Sequence, residues 1–271
     1  GIRDSVASRG LGDVYKRQIF TSVNGVRFFF QRLKETQQDI RNLKNLRVYT
    51  IGPKTAEAVR DLGICVDVVP EDFVAESLIE SILGRTDVER LRISSLQPQE
   101  ITDGLLALWS DKRLCRHFHM PLQSGSGSVL NRMRRRYTPS LYENVVNTIK
   151  NNLPDASITT DVIVGFPGET DKEFNDTVEF CKLMQFSDMH IFQYSVREGT
   201  TGYYLDGQID SSVKNHRMGT MLQISSDMWT AFRLKHIGTV RDVLWERENV
   251  STKTVMGLTD NYLKVFSTGN N

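Results

Sequence analysis

The sequence predicts an α/β protein, and three observations carry this prediction. Short strand-like segments at "IFTS" and "LRVYTIG" are each followed by a segment with helical periodicity. Further along, the apolar run "ASITTDVIVGFPGET" precedes the amphipathic "DKEFNDTVEFCKLMQF". Residues 238–271 alternate like strands with no helix between them. We therefore expect parallel sheets with right-handed crossovers, a spacing suited to a (β/α) barrel in the second part, and a closing β segment.

Composition and charge narrow the class of protein. The 271 residues are 39% hydrophobic and 25% charged, as in ordinary globular proteins, and we expect one large or two ordinary domains. The formal net charge of +1 gives no global field that would mark a DNA-binding or membrane-surface protein. There is no apolar run of about 18 residues and no signal-peptide pattern. Three widely separated cysteines favour a reducing cytoplasm without disulfides.

The first part of the chain divides into a leader and a set of strand–helix units. Residues 1–18 show neither helical nor strand periodicity, and they resemble translated adapter sequence. The alternative is a flexible basic tail. From residue 19 to about 82 we predict three strands ("IFTS", "LRVYTIG", "CVDVVP") and three helices. Asn24 is the predicted N-cap of the first helix, Gly52-Pro53 starts the second, and Gly63 and Gly84 close the second and third.

Residues 19–82 resemble uroporphyrinogen-III synthase, in "FTSVNGVRFFFQRL", "VYTIGPKTAEAVRDLG" and "VVPEDFVAESLIESI". The resemblance implies a fragment of a flavodoxin-like lobe, about half of one lobe, with polar groups at strand ends facing a cleft. Strand ends and helix N-termini offer free N–H groups to a polycarboxylate. The alternative is that these residues only cap helices. The implied tetrapyrrole-binding residues are Thr21, Ser22, Asn24, Gly52 and Thr55.

The rest of the chain resembles the radical S-adenosylmethionine tRNA methylthiotransferases, and most of all the branch acting on threonylcarbamoyl-adenosine. Five ordered blocks carry the resemblance: "RISSLQPQEI", "HMPLQSGSGSVLNRMRRRYT", "ITTDVIVGFPGETDKEF", "HIFQYSVREGT" and "GLTDNYLKV". It implies a partial radical S-adenosylmethionine barrel over residues 83–237, ending in a long amphipathic helix at 210–238. Residues 238–271 match the opening half of the RNA-gripping TRAM barrel. Because half of a five-stranded barrel cannot close, we expect this tail to be loosely ordered.

The resemblance also implies a cofactor chemistry that this sequence does not fully support. In the family a [4Fe–4S] cluster on a C-x-x-x-C-x-x-C loop reduces S-adenosylmethionine to a radical, and sulfur and methyl are added to an adenosine of tRNA next to the anticodon. Cluster iron needs thiolates at close spacing. The cysteines here stand at positions 65, 115 and 181. We therefore expect S-adenosylmethionine as cofactor but no radical formation by this polypeptide.

Ligands of a (β/α) barrel bind at the carboxyl ends of its strands. Gln123 and Ser124 suit a ribose diol, Ser94 and Asp161 suit the sulfonium and amino-acid part, and the backbone at Gly165 can approach adenine. Asp161 could instead brace a neighbouring loop, and Tyr194 could serve packing rather than chemistry. The predicted set of cofactor-binding residues is Ser94, Gln123, Ser124, Asp161, Gly165, Glu169 and Tyr194.

Two further motifs allow both a functional and a structural interpretation. Arg132 and Arg136, predicted on one helical face at i and i+4, could contact tRNA phosphates, or could belong to a solvated face. Cys115, His117 and His119 alternate in a predicted strand and so share a face, as metal ligands do. No fourth ligand is evident, and we predict no metal site there.

These expectations combine into one functional hypothesis with two rivals. We predict a joined chain: a uroporphyrinogen-III synthase fragment running into a tRNA methylthiotransferase fragment, inactive in this form. One rival is tetrapyrrole formation by the first part. The other is a non-catalytic remnant that binds RNA.

Overall fold

A computed structural model gives the architecture of the chain for residues 17–38, 41, 46–70, 72, 74–196, 199, 201–249 and 253–268. The chain forms two compact units, residues 1–89 and 90–271. The predicted leader lies outside the described residues except for Arg17 and Gln18. Those two residues belong to the first strand, since backbone pairing does not depend on their polar side chains. The observed division falls seven residues beyond the predicted junction at residue 82.

In the described residues of the first unit, two parallel strands and three helices are present. In chain order these are β1 (Arg17–Phe20), α1 (Val23–Glu35), β2 (Arg47–Thr50), α2 (Pro53–Arg60) and α3 (Ala75–Arg85). The strands pair in register, with Ile19 opposite Tyr49 and Phe20 opposite Thr50. The predicted strand "CVDVVP" is reduced to a single parallel bridge between Tyr49 and Val68. A small core of Phe20, Val26, Phe30, Leu33, Val48 and Val59 joins α1 and α2 to the strands.

Two predicted helix ends in the first unit need correction. Ser22, not Asn24, caps α1: its backbone is extended and its Oγ accepts from the Gly25 N–H at 3.1 Å, while Asn24 already lies inside the helix. The third helix passes Gly84 and ends at Arg85, where the extended backbone of Thr86 stops it. Gly63 takes the left-handed backbone after α2, at φ +76°, as its sequence position predicts.

The second unit contains a parallel sheet, its helices and a separate antiparallel sheet. Its elements are α4 (Asp103–Ala107), β3 (His117–His119), α5 (Gly127–Arg132), α6 (Pro139–Asn152), β4 (Ser157–Val164), α7 (Asp171–Met184), β5 (Asp188–Gln193), α8 (Ser211–Lys235), β6 (Val243–Asn249), β7 (Thr254–Thr259) and β8 (Lys264–Thr268). The mixed α/β prediction with parallel sheets and a closing β segment is confirmed.

The parallel sheet has the strand order β3-β4-β5, so each strand pairs with the next one along the chain. Phe118, Ile158, Val162 and Ile191 are buried on one side of the sheet. The segment "RISS" forms no strand of this sheet: one parallel bridge joins Leu91 to Leu114, and the backbone turns left-handed at Ser95.

The closing sheet corrects the expectation of a loosely ordered tail. β6, β7 and β8 form an antiparallel sheet by hairpin pairing, which needs no closed barrel. The turn after β7 is anchored to the rest of the unit. Arg90 donates to the carbonyls of Leu258 and Thr259, and Arg241 bridges Asp155 at 2.7 Å and Asp260 at 3.2 Å.

The long helix α8 forms where predicted but buries less apolar surface than its pattern indicates. Met221 is buried, together with Arg217 and Ser225, whereas Leu222 and Trp229 remain exposed. Among the helices described, none is long and apolar enough to span a bilayer.

Candidate functional site

The parallel sheet of the second unit has one polar face. Because side chains alternate along a strand, residues 117 and 119 of β3, residues 159 and 161 of β4 and residue 190 of β5 share the face opposite to the buried apolar side chains. In the register of the sheet His119 lies beside Thr159, and Asp161 lies beside His190. Polar side chains from three strands therefore meet in the middle of this face.

These side chains form a continuous chain of hydrogen bonds. Arg92 Nε donates to His117 Nδ1 at 3.1 Å, and His117 Nε2 lies 3.3 Å from Thr159 Oγ1. The same hydroxyl is 3.1 Å from His119 Nδ1. His119 Nε2 then lies 3.3 Å from Asp161 Oδ2. At the far end, His190 Nδ1 is 3.2 Å from Asp161 Oδ1.

The two ends of this network differ in their surroundings. His117 is buried, with its ring centroid 4.8 Å from that of Tyr262. Burial, together with the positive charge of Arg92, lowers the pKa of His117 to about 3, so this ring is neutral near neutral pH. His190 projects into solvent, with 57% of its side chain exposed.

His119, Asp161 and His190, which we call the His–Asp–His cluster, are close enough to share an ion. One ligand atom from each lies within 4.8 Å of the others, and within the described part of the chain no other set of three histidine, cysteine or acidic side chains meets this condition. Cys115, His117 and His119, which alternate in the sequence, do not form such a set. Cys115 precedes β3 and is buried near Arg90 instead.

Two left-handed turns follow the strands on the predicted cofactor side. Gln123, at φ +68°, donates its N–H to the Asp161 carbonyl at 2.7 Å and accepts from Ile163 N at 2.9 Å. Its residue surface is 8% exposed. Ser124 is fully buried, and its hydroxyl lies 3.0 Å from that of Thr177 on α7. The loop after β3 is thus fixed from both sides.

The turn after β4 is organised by a buried carboxylate. Gly165, at φ +72°, donates its N–H to Glu169 Oε2 at 2.7 Å, and Arg217 Nη1 donates to the same oxygen at 2.8 Å. Glu169 is 2% exposed, and desolvation raises the pKa of its carboxyl group. Its Oε1 is buried without a hydrogen-bond partner. A Cβ on Gly165 would meet Lys214 at 2.5 Å, so the turn accepts only glycine without rearrangement.

The remaining predicted cofactor residues lie at the same end of the unit's strands or in the preceding loop. Tyr194 follows β5, donates its N–H to the Val164 carbonyl at 2.9 Å, and packs edge-on against Phe166. Ser94 is exposed in the irregular segment after Leu91. The structure thus brings Gln123, Gly165 and Tyr194 to neighbouring strand ends.

The two predicted RNA-contacting arginines do not share a helical face, and that prediction is wrong. Helix α5 ends at Arg132, and Arg134 takes the left-handed region at φ +56°. Arg136 therefore lies in the exposed link to α6. Arg132 forms a two-pronged ion pair with Glu173 at 2.8 and 2.9 Å, which holds the pKa of that carboxyl group well below its usual range.

In the first unit the predicted tetrapyrrole-binding residues follow β1 and β2. Thr21, Ser22 and Asn24 are exposed, and the hydroxyl of Ser22 is engaged as the cap of α1. Gly52 is the N-cap of α2, and Thr55 is buried within that helix. The two helix starts therefore lie after adjacent parallel strands.

The cysteines do not fit an iron–sulfur cluster. Cys115 and Cys181 are buried thiols, and burial raises the pKa of both, that of Cys181 to about 12. Cys65 belongs to the first unit. Cluster ligation needs several accessible thiolates at close spacing. For S-adenosylmethionine, the turns at Gln123 and Gly165 offer the side-chain amide of Gln123 and a backbone without a Cβ at Gly165.

Two family profiles match the chain, and they overlap. The profile described as "Uroporphyrinogen-III synthase HemD" matches residues 6–107, which includes part of the leader that sequence reasoning set aside. The profile of the radical SAM superfamily matches residues 75–181.

Curated relatives confirm the resemblance to tRNA methylthiotransferases. The threonylcarbamoyladenosine tRNA methylthiotransferase MtaB of Bacillus subtilis is 38% identical over 205 residues, 73% of this chain and 45% of its own length. The protein of that name from Thermotoga maritima is 38% identical over 67% of this chain and 42% of its own. A tRNA-2-methylthio-N(6)-dimethylallyladenosine synthase from Pelotomaculum thermopropionicum is 33% identical, and the match covers 74% of this chain and 44% of the length of that protein. The chain thus spans less than half the length of these relatives.

One similar solved structure is coproporphyrinogen III oxidase of Escherichia coli, which is described as a radical SAM enzyme. The match covers 78% of this chain and 48% of the chain of that protein. The TM-score is 0.49 and the sequence identity 12%.

Sequence reasoning missed His190 and with it the His–Asp–His cluster. It examined alternation inside one strand, whereas the cluster takes one residue from each of three strands. Alternation was a partial signal, because His119 and His190 each lie between two apolar residues and Asp161 precedes the apolar Val162. Register between parallel strands could not be read from that pattern.

Proposed function

We propose that residues 90–271 are the cofactor- and substrate-facing part of a tRNA methylthiotransferase. The observation that carries the proposal is the polar sheet face of β3, β4 and β5, which ends in two left-handed turns within a region related to such enzymes. In this proposal residues 83–237 are a partial radical S-adenosylmethionine barrel, and residues 238–271 are a TRAM-like segment that contacts RNA. Residues 19–82 are a flavodoxin-like fragment.

The strand ends are the proposed binding site for S-adenosylmethionine, which supplies the methyl group in this chemistry. Gln123 and Gly165 lie on adjacent strands, so the amide of Gln123 would take the ribose hydroxyls while the Gly165 backbone approaches adenine. Ser94 and Asp161 would contact the amino-acid end. Glu169 and Ser124 would shape the turns, since both are held inside the protein.

Titration calorimetry with S-adenosylmethionine tests this assignment on the full chain. Gln123→Ala should weaken binding about tenfold, roughly the contribution of a hydrogen bond to a polar ligand group. Gln208→Ala, an exposed glutamine outside the sheet, should leave binding unchanged. Absence of binding heat from a chain that is folded by circular dichroism would contradict the proposal.

We further propose that this polypeptide binds the cofactor without forming the radical, because its cysteines do not fit a [4Fe–4S] cluster. Anaerobic reconstitution with iron and sulfide should give no cluster absorption. A spectrum with three or more irons per chain would refute this part while leaving cofactor binding intact.

The proposed macromolecular partner is tRNA, contacted through exposed arginines of the α5–α6 link. Arg136 is exposed there, whereas Arg132 is paired with Glu173. Neutralising phosphate contacts releases counterions, so tRNA affinity should fall as salt rises. Filter binding at two salt concentrations measures this, and salt-independent binding would argue against the contact.

A second proposal concerns the first unit alone and rests on its match to the uroporphyrinogen-III synthase profile. The starts of α1 and α2 follow adjacent parallel strands and would offer backbone N–H groups to a polycarboxylate. Hydroxymethylbilane turnover by the full chain would support tetrapyrrole formation. If the unit is folded but no turnover is measured, tetrapyrrole formation is refuted and only the sequence similarity to the profile remains.

A further inference from the structure

The ligand atoms of the His–Asp–His cluster lie close enough together to reach one metal ion. His119 Nε2 and Asp161 Oδ2 are 3.3 Å apart, and His190 Nδ1 and Asp161 Oδ1 are 3.2 Å apart. A tetrahedral ion with ligands at about 2.0–2.1 Å keeps neighbouring ligand atoms roughly 3.3 Å apart. All three ligand atoms already lie within 4.8 Å of one another. A small rotation of the exposed His190 ring would complete the set.

The second ring nitrogen of His119, Nδ1, has the kind of hydrogen-bond partner that metal-bound histidines have. Its Nδ1 lies 3.1 Å from Thr159 Oγ1, and the histidine that carries a metal on one nitrogen normally bonds a polar group through the other. Thr159 is in turn 3.3 Å from His117 Nε2, whose Nδ1 accepts from Arg92. The supporting groups therefore come from β3, β4 and the segment before them.

Proton positions along this network can be assigned from its fixed donor. Arg92 can only donate, so His117 carries its proton on Nε2 and donates to Thr159 Oγ1. Without a metal, the Thr159 hydroxyl donates to His119 Nδ1, and His119 Nε2–H donates to Asp161. With a metal on His119 Nε2, the ring proton moves to Nδ1 and Thr159 accepts from both rings. A hydroxyl oxygen has two lone pairs and can accept both bonds.

We propose that His119, Asp161 and His190 bind a divalent transition metal ion, with zinc as the best match. Imidazole and carboxylate ligands suit zinc, whereas magnesium prefers an octahedral shell of oxygen. Three protein ligands leave a fourth position open, and it faces the solvent side of the sheet where His190 is exposed. The proposal goes beyond cofactor binding and competes with it at one residue: a metal here would occupy Asp161, which would then not contact the amino-acid end of S-adenosylmethionine, and would leave Ser94, Gln123 and Gly165 to the cofactor.

Cobalt and zinc titrations of the full chain test the site in the absence of S-adenosylmethionine. A Cys65→Ser background removes the exposed thiol, which could bind cobalt on its own. One cobalt ion per chain should bind with a d–d spectrum free of sulfur charge transfer, and zinc should displace it. Magnesium in excess should not.

Ligand variants should reduce affinity on the order of a hundredfold or more, since supporting residues alone contribute about 10–100-fold. Asp161→Asn keeps the size of the side chain, and His190→Ala alters an exposed position, so both should fold. His216→Ala, an exposed histidine on α8, is the matched control and should bind as the unchanged chain does.

Thr159→Val separates a built site from a fortuitous pair of histidines. It should weaken zinc about 10–100-fold by removing the partner of His119 Nδ1, whereas Thr148→Val on α6 should not. Unchanged affinity in Asp161→Asn and His190→Ala, or no stoichiometric binding at all, would overturn the proposal and leave a hydrogen-bonded network. Cofactor calorimetry is an independent readout, so failure of either proposal is recognised separately.

Discussion

In the first unit, the hydroxyl that follows β1 serves the adjacent helix: Ser22 Oγ accepts from the Gly25 N–H at the start of α1. In the second unit, polar side chains on the strands bond one another across the sheet, from His117 through Thr159 and His119 to Asp161 and His190. Polar side chains therefore stabilise a local helix start beside one parallel sheet and form a network across the strands of the other. The hydrogen-bond partners of each side chain distinguish these two outcomes.

The largest expected effect is a loss of stability in the second unit that the first unit does not share. Arg217 and Glu169 form a pair whose side chains are 4% and 1% exposed. Arg217→Met would leave the carboxylate buried without its partner and should cost about 3–5 kcal/mol in the second unit. All three tryptophans, Trp109, Trp229 and Trp245, lie in that unit, so urea unfolding followed by fluorescence reports on it.

Two further variants serve as controls for this measurement. Lys172→Met removes an exposed charge nearby and should change the free energy of unfolding by less than about 0.5 kcal/mol. The double variant Arg217→Met with Glu169→Gln should recover part of the loss, because the buried charge is then absent. A loss below about 1 kcal/mol for Arg217→Met would contradict the structural role of the pair.

A smaller loss of stability, caused by lowering the pH, should also be confined to the second unit. The folded-state pKa of His117, about 3, lies below the usual value of 6.5, so the unfolded chain binds the proton first. Stability from this group is therefore complete above about pH 6.5 and is lost as the pH falls toward 3. Between about pH 7.5 and 5 the loss should be about 2 kcal/mol.

Unfolding by urea at these two pH values measures the loss, again by tryptophan fluorescence. His117→Gln should flatten the dependence by that amount, and His216→Gln should not, because His216 is exposed. An unchanged pH dependence in His117→Gln would show that the buried ring is not the group that titrates.

In the first unit we expect a helix-cap effect of about 1 kcal/mol. Ser22→Ala removes the side-chain acceptor of the Gly25 N–H and should destabilise α1 by that amount. Asn24→Ala should cost less than about 0.5 kcal/mol, because Asn24 lies inside the helix. Thermal unfolding by circular dichroism compares the two, and the reverse order would restore Asn24 as the cap.

The smallest effect on stability concerns the arginines of the α5–α6 link. Arg132→Ala removes the ion pair with Glu173 and should cost at most about 1 kcal/mol, whereas Arg136→Ala should be neutral. On proposed tRNA binding the order reverses: Arg136→Ala should lower the salt slope by about 1 and Arg132→Ala should not. Equal slopes for both variants would place the RNA contact elsewhere.

Elements with strong local signals could be predicted from the sequence. The eight residues of β4 form one long run, and Thr170 with Glu173 makes a capping box that starts α7, so both elements lie where expected. The segment "RISS" forms no strand and ends in a left-handed backbone at Ser95, which no residue preference there predicts. The predicted helical face of Arg132 and Arg136 is interrupted at Arg134, which also takes a left-handed backbone.

The candidate site was predictable only in part. Gln123, Gly165 and Tyr194 follow strands, and family resemblance was enough to select them. Glu169 was selected as a ligand contact, but its buried partner Arg217 lies 48 residues away on α8 and no local pattern links the two. The His–Asp–His cluster depends on register across three strands, which is fixed by packing of the sheet rather than by any one segment.

The anchoring of the closing sheet has a consequence for the order in which the chain folds. The hairpins of β6, β7 and β8 pair residues close in sequence and can form early, whereas the bond from Arg90 to the Leu258 carbonyl closes a span of 168 residues. Long-range contacts cost loop entropy before they contribute stability. During synthesis, Arg90 must therefore wait for β7 to leave the ribosome before it reaches its partners there, whereas the neighbouring Leu91 can pair with Leu114 earlier.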